Sequence, residues 1–224
     1  QLMSAGCVCL GLLNAALAAG CTIVVRPSEY TPLTAMEMVQ ILEEAGIPKG
    51  VVNLVSGEPD PMGQEMLNNP ACRKIAFTGS VRVGKHLMDG ASRTVTRLSL
   101  ELGGNAPVLI FPDADIDALA ASSVPAKFRN NGQVCISPQR FLVHSKVRDE
   151  FVEKMVPELE KLKVGNGMEE DTQVGPLINA KQRDHVEAIV NASAKQNVDV
   201  VAGGKRPESL PKGYFFRADY FVQC

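Results

Sequence analysis

The chain has 224 residues, 45% of them hydrophobic and 21% charged, enough for one large domain or two small ones around a sizeable core. Lys plus Arg number 23 and Asp plus Glu 25, so the formal net charge is −2, which argues against nucleic-acid binding by phosphate neutralisation and against a polybasic membrane anchor. Aromatics make up 5% and Trp is absent, so no stacking surface for single-stranded nucleic acid is expected.

Residues 1–25 carry no charge, a length that would suit a membrane span. Gly6, Gly11, Asn14, Gly20 and Thr22 interrupt the run. The expectation is therefore a buried helix over Leu2–Ala19 and a buried strand over Cys21–Val25, with no membrane contact. Cys7, Cys9 and Cys21 then act as small buried hydrophobes. No basic segment precedes the run, so a signal peptide is disfavoured.

Pro27 and Pro32 mark a loop, and Thr31 can cap a helix that reaches Ala45, with Met38, Ile41, Leu42 and Ala45 on one face. Val51–Val55 reads as a strand, Met62–Asn68 as a helix and Lys74–Phe77 as a strand running into Thr78-Gly79-Ser80. A helix over Arg82–Gly90 and a strand over Thr96–Leu102 follow. This alternation implies an α/β fold with a parallel sheet and helices on both faces. Gly103-Gly104 follows a buried strand, which puts a domain boundary near Glu101–Gly104.

Pro107–Phe111 is a further strand, and Asp113 or Asp115 can cap a helix reaching Asn130, disturbed by Pro125. A loop over Asn131–Pro138 leads to a strand at Arg140–Val143. Arg148–Leu162 is amphipathic, with Phe151, Met155, Leu159 and Leu162 at helical spacing. Asn179–Gln196 reads as a helix and Val198–Val201 as a strand. The chain begins without Met and stops soon after Tyr214-Phe215-Phe216, as a piece of a longer protein would.

The cysteines form no C-x-x-C pair, and His86, His144 and His185 are scattered, so no metal site is expected. A chain this long does not need disulfides, and a reducing, cytoplasmic setting is expected; an organelle matrix is the alternative if a transit segment lies upstream.

Three constellations carry chemistry. Gly79–Lys85 has the spacing G-x-x-x-x-G-K of a phosphate loop, but His86 replaces the hydroxyl residue that would hold Mg²⁺. A nucleotide-binding loop and a plain strand-to-helix turn both fit it. Glu101, between Leu100 and Leu102, is a candidate general base if desolvation raises its pKa; an exposed or ion-paired Glu is the alternative. Cys135, in Gly132-Gln133-Val134-Cys135, is a candidate nucleophile in a glycine-containing loop; a buried structural Cys is the alternative.

Phe77-Thr78-Gly79-Ser80, Leu100-Glu101-Leu102-Gly103-Gly104-Asn105 and Gly132-Gln133-Val134-Cys135, in this order, resemble the NAD(P)-dependent aldehyde dehydrogenase superfamily. Val25–Pro32, Val164-Gly165 and Val174–Ile178 fit the same pattern, so the likeness covers essentially the whole chain. Lys127–Asn130 with Val164–Gly167 leans toward the succinate-semialdehyde branch.

The resemblance implies a Rossmann-type cofactor half over 1–101 and an α/β catalytic half over 102–224, both incomplete. It implies Cys135 as the nucleophile and Glu101 as the base that activates water. Gly79 and Ser80 would approach the pyrophosphate, and Arg26 and Glu29 would flank the adenosine ribose. Ser28, Gly57 and Val83 would complete the cofactor contacts, with Leu102 and Gly103 lining the nicotinamide pocket. Glu29 favours NAD by repelling a 2′-phosphate, while Arg26 in place of the family's Lys leaves NADP open. The substrate would be a small aldehyde, and the parent enzyme a homo-oligomer. Family members are about twice as long, with an oxyanion-holding Asn, a Glu for the nicotinamide ribose and an oligomerisation strand that this chain lacks. Little activity is expected of the 224 residues alone, since one lost oxyanion donor costs roughly 10²–10³ in rate.

Overall fold

Three times along the chain a short apolar strand, a helix and a second strand make a parallel βαβ unit, since parallel strands need a crossover long enough for a helix. The computed structural model describes residues 13–196, 198–217 and 220–222, and the chain divides into two compact units between Gly103 and Gly104.

In the first unit β1 (Ile23–Val25) crosses through α1 (Leu33–Glu44) to β2 (Val52–Leu54), in register from Ile23↔Val52 to Val25↔Leu54. Gly46, at φ +89, ends the helical segment as a left-handed residue. Pro32, not Thr31, is the N-cap, and no side chain caps it. Thr31 instead gives its backbone N–H to the Ser28 carbonyl at 3.1 Å, inside the preceding loop. Ile41 is also off the expected face, at 60% exposure. The buried stripe runs through Ala35, with Met38, Val39 and Leu42 one and two turns on, and Ile41 lies well round the helix from it.

The expected burial of Cys21 does not hold. The strand starts at Ile23, Cys21 is exposed before it, and Val24 points outward on the alternating pleat. Residues 13–18 are helical. The rest of the helix expected over Leu2–Ala19, with Cys7 and Cys9, lies outside the described residues.

α2 (Pro59–Asn68) begins three residues before the expected start. Its prolines stand in the first turn, where a missing N–H costs nothing. β3 (Lys74–Gly79) then crosses through α3 (Val81–Ser92) to β4 (Arg97–Leu102), paired in parallel from Lys74↔Arg97 to Gly79↔Leu102. Leu67, Ile75, Leu87 and Ala91 form the core that seats α2 and α3 on this pair. A Cβ on Gly90 would stand 2.6 Å from Leu67 Cδ1, so glycine lets the two helices approach.

In the second unit β5 (Pro107–Ile110) crosses through α4 (Ile116–Phe128) to β6 (Arg140–Val143), in register from Pro107↔Arg140. Asp115 caps α4, accepting from the Ala118 N–H at 3.0 Å. Ile116, Ala120, Val124 and Phe128 recur every four residues on α4, and Phe151, Met155 and Leu159 do so on α5 (Arg148–Glu160). The two stripes share a core with Ile110, Val147 and Val174. Lys154 ties the helices at their surface, reaching Asp117 at 2.8 Å and Glu150 at 2.7 Å. α6 (Ala180–Ala194), capped by Asn179, leads to an antiparallel pair, β7 (Asp199–Ala202) with β8 (Tyr220–Val222). Among the described residues no helix is long and apolar enough to cross a membrane.

Candidate active site

Parallel strands place all their C-terminal ends on one side of a sheet, and ligands of open α/β folds bind there. In the first unit the candidate residues follow such ends. Arg26, Ser28 and Glu29 come after β1, and Gly57 after β2. Gly79 and Ser80 close β3, while Glu101, Leu102 and Gly103 close β4.

The structure brings three of them together directly. Arg26 Nη2 donates to Glu29 Oε2 at 2.7 Å and to the Gly57 carbonyl at 3.2 Å. Glu29's carboxyl is held below the ordinary Glu range, first by a hydrogen bond from its own backbone N–H and then by Arg26, against an opposing push from partial burial. Ser28 does not join them. Its Oγ accepts from the Tyr30 N–H at 3.3 Å and stiffens the loop.

The second cluster spans β3 and β4. Ser80 is the N-cap of α3, its Oγ accepting from the Val83 N–H at 3.3 Å. Thr78 is opposite Glu101 in the parallel register, and Gly79 opposite Leu102. A Cβ on Gly84 would stand 2.9 Å from Leu102 Cδ2, so this glycine seats α3 on the end of β4. That geometry selects the plain strand-to-helix turn over the triphosphate loop. Only Ser80 separates β3 from α3, and Gly84 is buried inside the helix, so no open loop remains to wrap a triphosphate.

Of the two alternatives for Glu101, the structure shows the exposed one: its side chain is open to solvent and not enclosed by its leucine neighbours. Leu98 and Leu100 pack on the core of this unit, and along a strand Glu101 must point to the other face.

The second unit carries Cys135. Its loop leaves α4 through a short 3₁₀ turn, Arg129–Gly132. Ser137 N–H then bonds the Val134 carbonyl at 3.0 Å, which puts Cys135 at the second position of a turn as a half-buried thiol. Buried Ser137 donates from Oγ to the Lys127 carbonyl at 2.7 Å, pinning the far side of the turn to the end of α4. Asn131 pins the near side to Gly175 and Pro176. Neither Asn131 nor Ser137 stands out from sequence spacing; the one available signal is the Asn-Gly pair, which marks a left-handed turn. Among the described residues no group of three or more His, Cys, Asp and Glu side chains could hold a metal ion.

Among the described residues, two polar atoms near the strand ends of the first unit are buried without a hydrogen-bond partner, Thr78 Oγ1 and Arg26 Nε. Orphaned groups of this kind fit a polar ligand, and a dinucleotide, with its ribose hydroxyls and pyrophosphate, offers the matching acceptors and donors.

Comparison with known proteins identifies the family. The profile of the aldehyde dehydrogenase family matches residues 6–224. A mitochondrial succinate-semialdehyde dehydrogenase of Oryza sativa subsp. japonica is 47% identical over 191 residues, covering 85% of this chain and 36% of its own. A glutarate-semialdehyde dehydrogenase of Pseudomonas putida is 43% identical over 211 residues, covering 92% of this chain and 42% of its own. The crystal structure of a Staphylococcus aureus betaine aldehyde dehydrogenase mutant in complex with NAD+ superposes with a TM-score of 0.90 at 36% identity, over 95% of this chain and 43% of the other. The chain thus spans about two fifths of the length of the relatives it matches. The α/β architecture, the motifs and these relatives together show that the chain belongs to the aldehyde dehydrogenase family.

Proposed function

We propose that this chain is the cofactor-holding and nucleophile-bearing part of an NAD(P)-dependent enzyme that oxidises an aldehyde, of the semialdehyde class, to a carboxylic acid. The unit before Gly104 binds the dinucleotide and the unit after it carries the thiol. The reading rests above all on Cys135, a half-buried thiol in a turn pinned on both sides.

The residues of the first unit match the parts of a dinucleotide. Glu29 accepts hydrogen bonds from the adenosine ribose hydroxyls and repels a 2′-phosphate, which favours NAD. Arg26 holds Glu29 in place and, once released from it, offers a guanidinium to a phosphate, which is the route by which NADP could enter. Gly79 and Ser80, with the positive end of α3, would hold the pyrophosphate. Gly57, Ser28 and Val83 shape the loops around it, and Leu102 and Gly103 line the nicotinamide side.

In the second unit the Cys135 thiolate adds to the aldehyde carbonyl carbon, giving a hemithioacetal whose carbonyl oxygen becomes an alkoxide. A nicotinamide dinucleotide held by the first unit would supply the hydride acceptor needed to oxidise this adduct to a thioester. Glu101 takes a proton from water, the resulting hydroxide attacks the thioester carbon, and the thiolate leaves as the acid forms. Solvent exposure of Glu101 gives it access to the water it activates.

The test is a panel of short aldehydes and semialdehydes with the whole enzyme, followed by NADH formation. Succinic or glutaric semialdehyde should give the highest kcat/KM, and Cys135→Ser should abolish turnover. Full turnover by Cys135→Ser would overturn the reading.

A further inference from the structure

The chain leaves α4 through three successive left-handed residues, Asn130 at φ +52, Asn131 at φ +57 and Gly132 at φ +71. For a residue with a Cβ this conformation costs free energy, and it persists only where neighbours hold it. Asn131 supplies much of that hold. Its Nδ2 donates to the Gly175 carbonyl at 2.9 Å and to the Pro176 carbonyl at 3.0 Å, and its Oδ1 accepts from the Gly175 N–H at 2.9 Å. Both ends of the carboxamide are used, across a sequence separation of 44 residues. Gly175 is matched to a side chain as it would be to a neighbouring strand.

The anchor is itself fixed. Val174, just before it, is buried in the core of this unit. Val164 and Val174 form a β-bridge, and the Gly165 N–H bonds the Val174 carbonyl at 3.0 Å. From Asn131 the path to the thiol is short: the Gln133 N–H bonds the Asn130 carbonyl at 3.1 Å, and the turn Val134–Ser137 begins at the next residue.

We infer that Asn131 is a positioning residue, which sets where the Cys135 thiol stands by tying its loop to Gly175-Pro176. The inference rests on the reading of Cys135 as the nucleophile. Asparagine suits the task twice over: it tolerates the left-handed backbone, and its carboxamide both donates and accepts. Aspartate keeps the acceptor, but when ionised it has no donor and sets its charge against two carbonyl oxygens. Glycine keeps the backbone and loses the tie.

These differences define the experiment, run on the whole enzyme with Asn131→Gly, Asn131→Asp and Cys135→Ser. Asn131→Gly should lower kcat about thirtyfold while the KM for the dinucleotide stays within about twofold, because a small misplacement of a nucleophile costs rate rather than cofactor binding. Asn131→Asp should be impaired to a similar degree near about pH 8 and gain on wild type as pH falls toward about 5.5, since protonation restores a donor. Amide exchange should quicken at Gly175 and Gln133 in Asn131→Gly, with the β5–β6 amides unchanged.

A kcat within about twofold of wild type in Asn131→Gly would overturn the inference. So would a ratio of Asn131→Asp to wild type that is flat with pH, or loss of protection throughout the unit, which would make Asn131 a stability residue only. Turnover surviving in Cys135→Ser would instead remove the reading beneath it, so the two failures are distinct.

Discussion

Arg26 and Glu29 form an ion pair of 2.7 Å at the end of β1, and the same guanidinium reaches the Gly57 carbonyl beyond β2 at 3.2 Å. The pair joins the loops that follow two adjacent parallel strands. Its lowered Glu29 pKa has a consequence for stability. A carboxyl whose pKa is lower in the folded chain contributes fully above the ordinary Glu range, and that contribution is lost as pH falls through the lowered value. Glu29's side chain is 45% exposed, so the pair is worth at most about 0.5 kcal/mol. Urea melts of wild type and Glu29→Gln should differ by this small amount at neutral pH and coincide in acid.

The same substitution bears on the cofactor. If Glu29 flanks the adenosine ribose as proposed, Glu29→Gln removes the charge opposing a 2′-phosphate and releases Arg26 to meet it. The preference for NAD over NADP, read as a ratio of kcat/KM in the whole enzyme, should fall by about tenfold, or 1.4 kcal/mol. An unchanged ratio would remove Glu29 from the ribose site.

Ser137 supports the thiol turn from the other side. It is 2% exposed and donates to the Lys127 carbonyl at 2.7 Å. Ser137→Ala leaves that carbonyl at the end of α4 without this donor, and should lower the stability of the second unit by about 1–3 kcal/mol. Thermal unfolding followed by amide exchange in α4 would show it.

Far along the chain from these loops, Val95 is a β-branched residue at φ +52 with 85% exposure. With its side chain this exposed, little packing repays that backbone. Val95→Asn should raise the stability of the first unit by about 1 kcal/mol, measured as a higher Tm.

Much of this was legible in the sequence, for physical reasons. The stripes of Phe151, Met155 and Leu159 declare a buried helix face by their spacing. Alternation of strand and helix declares the βαβ units. What spacing cannot give is a partner far along the chain: the tie from Asn131 to Gly175 exists only once the loop is folded. Two alternatives left open by motif and composition could be decided from the local pattern. The pattern Leu98-Ser99-Leu100-Glu101 sets Glu101 on the face opposite the leucines, and Ser80 three residues before Val83 is an N-cap in sequence as in structure.

The central claim is that Cys135 forms the acyl intermediate and Glu101 activates the water that releases it. Mass spectrometry of the whole enzyme carrying Glu101→Gln, quenched during reaction with succinic semialdehyde and NAD, tests it most directly. The account predicts an acyl group accumulating on Cys135 as a thioester, absent without NAD and absent in the Cys135→Ser, Glu101→Gln double variant. An adduct on another residue, or steady turnover with Cys135 unmodified, would contradict it.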